Sequence, residues 1–208
     1  MEDVLGGYQR PEDPRQPVIC LDETSRQLLA DVRAPRPAAP GRPARHDSEY
    51  VREGVVNLFL VTEPRRGWRH VRVSNQRTRR DFAQCVKDLI DTHDPDAERL
   101  VLVLDQRNTH SPASLYAAFP PAEARRLADK LESHDTPKHG SWLNMAEIAF
   151  SVLQRQCLDR RLGDRATMEE EVAAWVATRN GSAAGIDWRF TTDDARIKLK
   201  RLYPVIQA

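Results

Sequence analysis

Two aspartates and a glutamate are the side chains best able to do chemistry. Asp22 closes the apolar run Pro17-Val-Ile-Cys-Leu, Asp105 closes Leu100-Val-Leu-Val-Leu104, and Glu147 stands between Leu143 and Phe150 in an otherwise apolar helical stretch. An aspartate after a strand is commonly a turn or cap residue, so neither says much alone. Glu147 is harder to dismiss, because a carboxylate buried on such a face is costly without a partner. If the two strands lie side by side and parallel, both aspartates emerge at one end of the sheet, and a helix packed there brings in the glutamate. Carboxylates converging in this way repel one another strongly unless cations sit between them. Hard oxygen ligands without His or Cys select Mg²⁺ or Mn²⁺. Two such ions about 4 Å apart can activate an attacking oxygen and stabilise a leaving oxygen in phosphodiester chemistry.

The elements that must position these residues are legible as patterns. Residues 1–16 are polar and proline-bearing and read as a lead-in segment. Pro17 to Asp22 reads as a buried strand ending in its carboxylate, with a weaker strand signal from Gln27 to Val32. Residues 33–45, Arg33-Ala-Pro-Arg-Pro-Ala-Ala-Pro-Gly-Arg-Pro-Ala-Arg45, hold four prolines and four arginines, a composition that predicts an exposed, extended arm. Val55–Val61 and Trp68–Val73 flank the turn Pro64-Arg-Arg-Gly67 and predict a hairpin. Thr78 and Asp81 form a capping-box pattern ahead of Phe82, Cys85, Val86, Leu89 and Ile90, an amphipathic helix ending near Thr92. Leu100–Leu104 is apolar at every position, as expected of a central strand covered on both faces.

Four helices follow in the expectation: one from Pro121 through Leu131, one capped by Ser141, one opened by Thr167 with Glu170, and one from Thr191 with Asp194 through Leu202. Trp142 and Trp175 fall on apolar faces of these helices and are assigned to the core, whereas Trp68 and Trp188 are less constrained. Strands interleaved with a helix and then followed mostly by helices give an α/β class with a mixed sheet.

The chain has 208 residues, 40% hydrophobic and 30% charged, with a formal charge of +1 and a mean hydropathy of −0.63. No apolar run approaches the roughly 18 residues of a membrane span, and Met1–Arg10 has no signal-peptide core, so the expected location is cytoplasmic, with no membrane partner. Cys20, Cys85 and Cys157 form no C-x-x-C pair and read as small buried residues, and the six histidines show no zinc-ligand spacing. The near-zero net charge hides a segregation. Arg26 to Arg80 holds thirteen arginines and five acidic residues, a local +8, and such a strip attracts polyanions. The bland reading is an Arg-rich solvated surface. Arg65, Arg66, Arg69 and Arg72 are the better candidates to bind such a polyanion because a rigid hairpin would hold them, although strand alternation puts Arg69 and Arg72 on opposite faces. Lys138 and His139 either contact phosphate beside the carboxylates or merely help position the glutamate helix. His110 could orient a neighbour of Asp105, yet a lone histidine after a strand is more often structural.

Three segments carry a family resemblance. Val18-Ile-Cys-Leu-Asp22-Glu23, Leu102-Val-Leu-Asp105-Gln-Arg-Asn108-Thr-His110 and Thr136-Pro-Lys-His-Gly-Ser-Trp-Leu-Asn-Met-Ala-Glu147 resemble the three catalytic blocks of DDE-type transposases of the mariner superfamily, in the bacterial insertion-sequence 630 family. The tail from Trp188 to Tyr203 is similar to that family's closing segment. The resemblance implies an RNase H-like fold over residues 17–208, a catalytic and metal-binding triad of Asp22, Asp105 and Glu147, and two Mg²⁺ ions for which Mn²⁺ can substitute. Asp22 would bridge both metals, with Asp105 and Glu147 each completing one site. The implied reaction is cut-and-paste transposition, in which water cleaves the transposon end and the freed 3′-hydroxyl attacks target DNA, usually at TA. Transposon-end and target DNA are the implied partners, with a second copy of the chain forming a homodimer.

The chain departs from the family pattern in three places. Gln106 and Arg107 precede Asn108 where the family has Asn-Leu-Asn, and Arg107 beside the site would either bind the scissile phosphate or impair metal placement. Glu132-Ser-His-Asp135 replaces a more aromatic approach to the third block. A length of 208 residues leaves no space for the family's helix-turn-helix region. The alternative expectation is therefore a truncated, non-transposing remnant that folds and binds DNA or full-length transposase.

Overall fold

A computed structural model of the chain describes residues 1–45, 47–106 and 109–203. Its centre is a five-stranded mixed sheet of β1 (Val18–Asp31), β2 (Tyr50–Glu63), β3 (Trp68–Ser74), β4 (Leu100–Asp105) and β5 (Leu131–Thr136), in the order β3-β2-β1-β4-β5. β1, β2 and β3 form an antiparallel meander, whereas β4 runs parallel to β1 and β5 parallel to β4. The parallel neighbours are reached through helical crossovers that lie on one face of the sheet, and helices from both ends of the chain cover the other, so β4 is buried on both faces. This burial is why β4 tolerates no polar residue before Asp105.

Alternation along the strands sorts their side chains into two cores. Cys20, Leu58, Leu60, Val71 and Val103 point to one face, under α1 (Glu2–Gln9), α5 (Ala146–Gln156), α6 (Arg165–Gly181) and α7 (Thr192–Lys198). Ile19, Leu21, Phe59, Val61, Leu102 and Leu104 point to the other. That face is covered by α2 (Arg79–Asp88), α3 (Pro112–Ala118) and α4 (Pro121–Asp129). α2 begins at the expected Thr78–Asp81 capping box and runs into a π-helical turn over Leu89–His93. Cys20, Cys85 and Cys157 are free and buried. Among the described residues no helix is long and apolar enough to cross a membrane.

The structure corrects several expectations. β1 does not stop at Asp22: it continues through the weak Gln27 signal to Asp31, because β2 is long enough to pair with all of it. The pairing slips between Leu28 and Leu29, where Gly54 adopts a φ of +134°, a conformation open mainly to glycine. Residues 33–45 are exposed, and they fold back on themselves through Arg36–Arg45 and Ala39–Arg42 bridges at the tip of the β1–β2 hairpin. The lead-in is not featureless, since α1 buries Val4, Leu5 and Tyr8. α3 matches no pattern expected from the sequence. The helix expected from Ser141 is a 3₁₀ turn, Ser141–Leu143, and α5 starts only at Ala146. α6 begins at Asp164, which accepts the Thr167 amide, rather than at Thr167. The helix expected to run from Pro121 through Leu131 ends at Asp129, and the one from Thr191 ends at Lys198 before a short 3₁₀ turn.

Candidate active site

Extending the β1–β4 register by two residues from Cys20↔Val103 sets Asp22 level with Asp105. Asp22 has the parity of Cys20 and faces the α5 side, and Glu147 lies in the first turn of α5. Asp22, Asp105 and Glu147, with Glu23, Thr24, Ser141 and Phe150, line one cleft of about 290 Å³ at the carboxyl end of β4. Ligand clefts at this end are a general consequence of parallel strands whose connections diverge there. The carboxylate expected to be buried, Glu147, is in fact exposed. The helix presents it to the cleft rather than to the core, so its placement incurs no large desolvation cost. Asp22 is the buried member.

The start of α5 is tied to β1 by residues that the sequence patterns did not single out. Asn144 is fully buried. Its Nδ2 donates to the Leu21 carbonyl (2.8 Å) and its Oδ1 accepts the Ala146 amide (3.1 Å). The Tyr8 hydroxyl donates to the Leu143 carbonyl (2.7 Å). The residue before Asp22 is thereby fixed to the residue three before Glu147. The available signal was a polar residue flanked by Leu143 and Met145, since a buried amide must find partners.

Burial drives the Asp22 carboxyl upward, the Glu23 amide opposes it from 2.8 Å, and the charges of Glu147, Asp105 and Glu23 add to the rise, leaving it at about 7. A carboxylate held toward its neutral form by burial and, further, by neighbouring carboxylates is a candidate cation ligand. The donors are hard oxygens, which fit Mg²⁺ or Mn²⁺.

Glu23 takes the opposite parity from Asp22 and faces the α2–α3 side, where it meets His110. The His110 Nε2 lies 2.7 Å from Glu23 Oε2 and its Nδ1 lies 2.6 Å from Asp105 Oδ1. Nδ1 also lies 3.2 Å from the Asp105 backbone carbonyl, and since these oxygens only accept, a ring carrying both protons suits all three contacts. Burial disfavours that cation, but hydrogen bonds to Asp105 and Glu23 outweigh it and pull the imidazole up to about 9. Phe82 packs on the ring at 4.8 Å, and the loop before it is held by a Ser114 hydroxyl donating to the Thr109 carbonyl (2.7 Å). Glu23, Asp105 and His110 also have the mutual spacing of a metal-ligand group.

The DNA candidates scatter. Register places the Pro64–Gly67 turn level with the start of β1, at the end of the sheet away from Asp105. Arg65 donates to the Tyr8 carbonyl (2.5 Å), and Arg66 pairs with Glu63 and Asp94. Arg69 is corrected outright: it is 3% exposed and its guanidinium donates to the Ala184 carbonyl (2.7 Å), leaving no surface for phosphate. Arg72 pairs with Asp88 at 2.5 Å on the other face, as alternation required. Lys138 and His139 are exposed in the loop after β5, at the carboxylate end. Arg107 lies outside the described residues. Arg77, Arg79 and Arg80, not singled out from the sequence, are exposed just past the end of β3, with no ion pair among the described residues. Ser74 pairs with Asn57 and Asn57 with Ser25, which puts them toward the cleft end. Trp142, assigned to the core, is 45% exposed and meets Phe190 edge-on at 5.7 Å, whereas Trp175 is buried as expected.

The three carboxylates on this cleft are a hard-oxygen donor set of the kind that metal-dependent phosphoryl transfer uses. The family model described as DDE superfamily endonuclease matches residues 17–169, and the chain belongs to that family. Among solved structures it is similar to the Mos1 mariner paired-end complex with Mn (TM-score 0.57, 13% identity, 87% of this chain and 54% of that one). It is also similar to the Mos1 strand transfer complex (TM-score 0.55, 12% identity, 89% and 59%). The fold is accordingly RNase H-like. The chain spans about half the length of these transposase chains. No curated protein sequence matches it.

Proposed function

We propose that the chain is the catalytic part of a mariner-superfamily transposase of the bacterial insertion-sequence 630 type, which cleaves transposon ends and transfers the cut strand to target DNA. The observation that carries this reading is the meeting of Asp22, Asp105 and Glu147 on one cleft. The similar Mos1 complexes, with Mn, paired ends and strand transfer, guide the choice of metal and substrate. Asp22, Asp105 and Glu147 would together hold the two Mg²⁺ or Mn²⁺ ions. When bound, such ions activate the attacking oxygen and stabilise the leaving one.

The chain's own contribution is placement. Asn144 and Tyr8 hold the Glu147 helix against β1, so the carboxylates stand ready before DNA arrives. Lys138, His139, Arg77, Arg79 and Arg80 are the exposed groups at that end able to take backbone phosphates, which position a duplex without reading its sequence. Transposon-end and target DNA are the partners, with a homodimer as the working assembly in the cytoplasm, at the nucleoid when DNA-bound.

The test is incubation of the chain with pre-nicked transposon-end DNA and Mg²⁺ or Mn²⁺, beside Asp105→Asn. Strand-transfer product from the parent and at least about 100-fold less from the variant supports the reading, since each carboxylate would hold a metal. Equal, negligible product from both overturns it and favours the non-transposing remnant.

A further inference from the structure

We propose that His110 is a positioning residue that, together with Glu23, holds Asp105 at its place on the cleft wall. This assignment rests on the proposed function, because the purpose of the placement is metal uptake. Three observations carry it. The ring spans two carboxylates, its nitrogens lying 2.6 Å from Asp105 Oδ1 and 2.7 Å from Glu23 Oε2, and its Nδ1 also lies 3.2 Å from the Asp105 backbone carbonyl. The ring is sealed from solvent, with no exposed side-chain surface, and Phe82 packs against it. Strand parity also sends Asp22 and Glu23, adjacent in sequence, to opposite faces of β1. One carboxylate can therefore enter the cation site while its neighbour supports that site from behind.

Without the imidazole, Asp105 loses the ring that ties it to Glu23 and with it one of the contacts that fix its place. Side chains that hold metal-binding carboxylates by hydrogen bonds commonly contribute 10–100-fold to metal affinity. His110 thus acts on the reaction through Asp105 and touches no reacting atom.

Mn²⁺ itself is the probe, added to the full chain without DNA and followed by electron paramagnetic resonance of the free ion. We expect H110F, which keeps the ring packing on Phe82 but has no donor, to bind Mn²⁺ at least about tenfold more weakly than the parent. H110Q, which keeps one amide donor, should recover part of that loss. E23Q should weaken binding in the parent but add little in the H110F background, since the link is already cut. Thermal melting checks that each variant folds, and if H110F does not, H110Q and E23Q carry the comparison. Parent and folded variants that bind within twofold of one another overturn the assignment. So does an electron spin-echo signal of a directly coordinated ring nitrogen in the parent, which would make His110 a ligand instead. A parent that takes up no Mn²⁺ overturns the proposed function as well, which separates that failure from equal binding by parent and variants.

Discussion

At the scale of single residues, Asp22 ties the site to stability. Its folded carboxyl sits at about 7 against an ordinary 3.8, because burial and three acidic neighbours disfavour its charge. Between those values the folded chain holds a proton that the unfolded chain has released. Stability from this group is therefore complete below about pH 4 and is lost as pH rises through about 7. The loss amounts to at most about 4 kcal/mol at 1.36 kcal/mol per unit. Chemical denaturation of metal-free chain at pH 5 and pH 8 should show this fall, and Asp22→Asn should reduce it, leaving the part that His110, raised from 6.5 to about 9, contributes above about pH 6.5. Saturating Mn²⁺ should reverse the trend, since the metal needs the ionised form; an unchanged slope with Asp22→Asn would remove Asp22 as its source. Asp22 and Asp105 were legible from their places after apolar runs. His110 was legible as a possible orienting residue near Asp105, but its meeting with Glu23 was not, because whether two residues far apart in sequence meet across a strand depends on parity and packing.

At the scale of elements, α1 shows how a polar edge strand becomes usable. β5 reads Leu131-Glu-Ser-His-Asp-Thr136 and lacks the apolar surface expected of a strand leading to the site. α1 supplies polar partners instead: Asp3 meets His134 at 2.7 Å, and Arg10 pairs with Glu132. Its apolar side, Val4, Leu5 and Tyr8, enters the core shared with α5. Were residues 1–16 a passive lead-in, Leu5→Ala would be neutral. Because Leu5 has no exposed surface, the substitution should destabilise the chain by about 2–5 kcal/mol in urea unfolding. Tyr8 reaches the Leu143 carbonyl, so the same variant should also loosen the Glu147 helix. Alternation and capping boxes made the β2–β3 hairpin, α2 and α7 legible, because those signals are local. α1 was masked by its two glycines and acidic start, and its burial is decided by a partner far along the chain.

At the scale of the whole molecule, the charge pattern changes meaning once folded. The local +8 from Arg26 to Arg80 looked like one polyanion-binding strip, but the fold divides it. Arg69 is buried, Arg66 and Arg72 pair with carboxylates, and the Arg33–Arg45 arm projects from the hairpin tip. Arg77, Arg79 and Arg80 remain exposed toward the cleft end. Replacing all three by glutamine should weaken duplex binding and lower the salt-dependence slope by up to about 3, one for each phosphate no longer neutralised. Fluorescence anisotropy between 50 and 200 mM salt, about the range where such charges are felt, measures it; an unchanged slope would place DNA elsewhere. Sequence alone determined the α/β class, the covered central strand and the three carboxylates, because burial periodicity and residue chemistry are properties of short stretches. Only the tertiary structure decided that Glu147 is exposed in a cleft, that Asn144 anchors its helix, and that the hairpin arginines are mostly engaged. Those outcomes depend on which faces meet, and a sheet that pairs residues 18–20 with 101–103 brings together groups no local pattern connects.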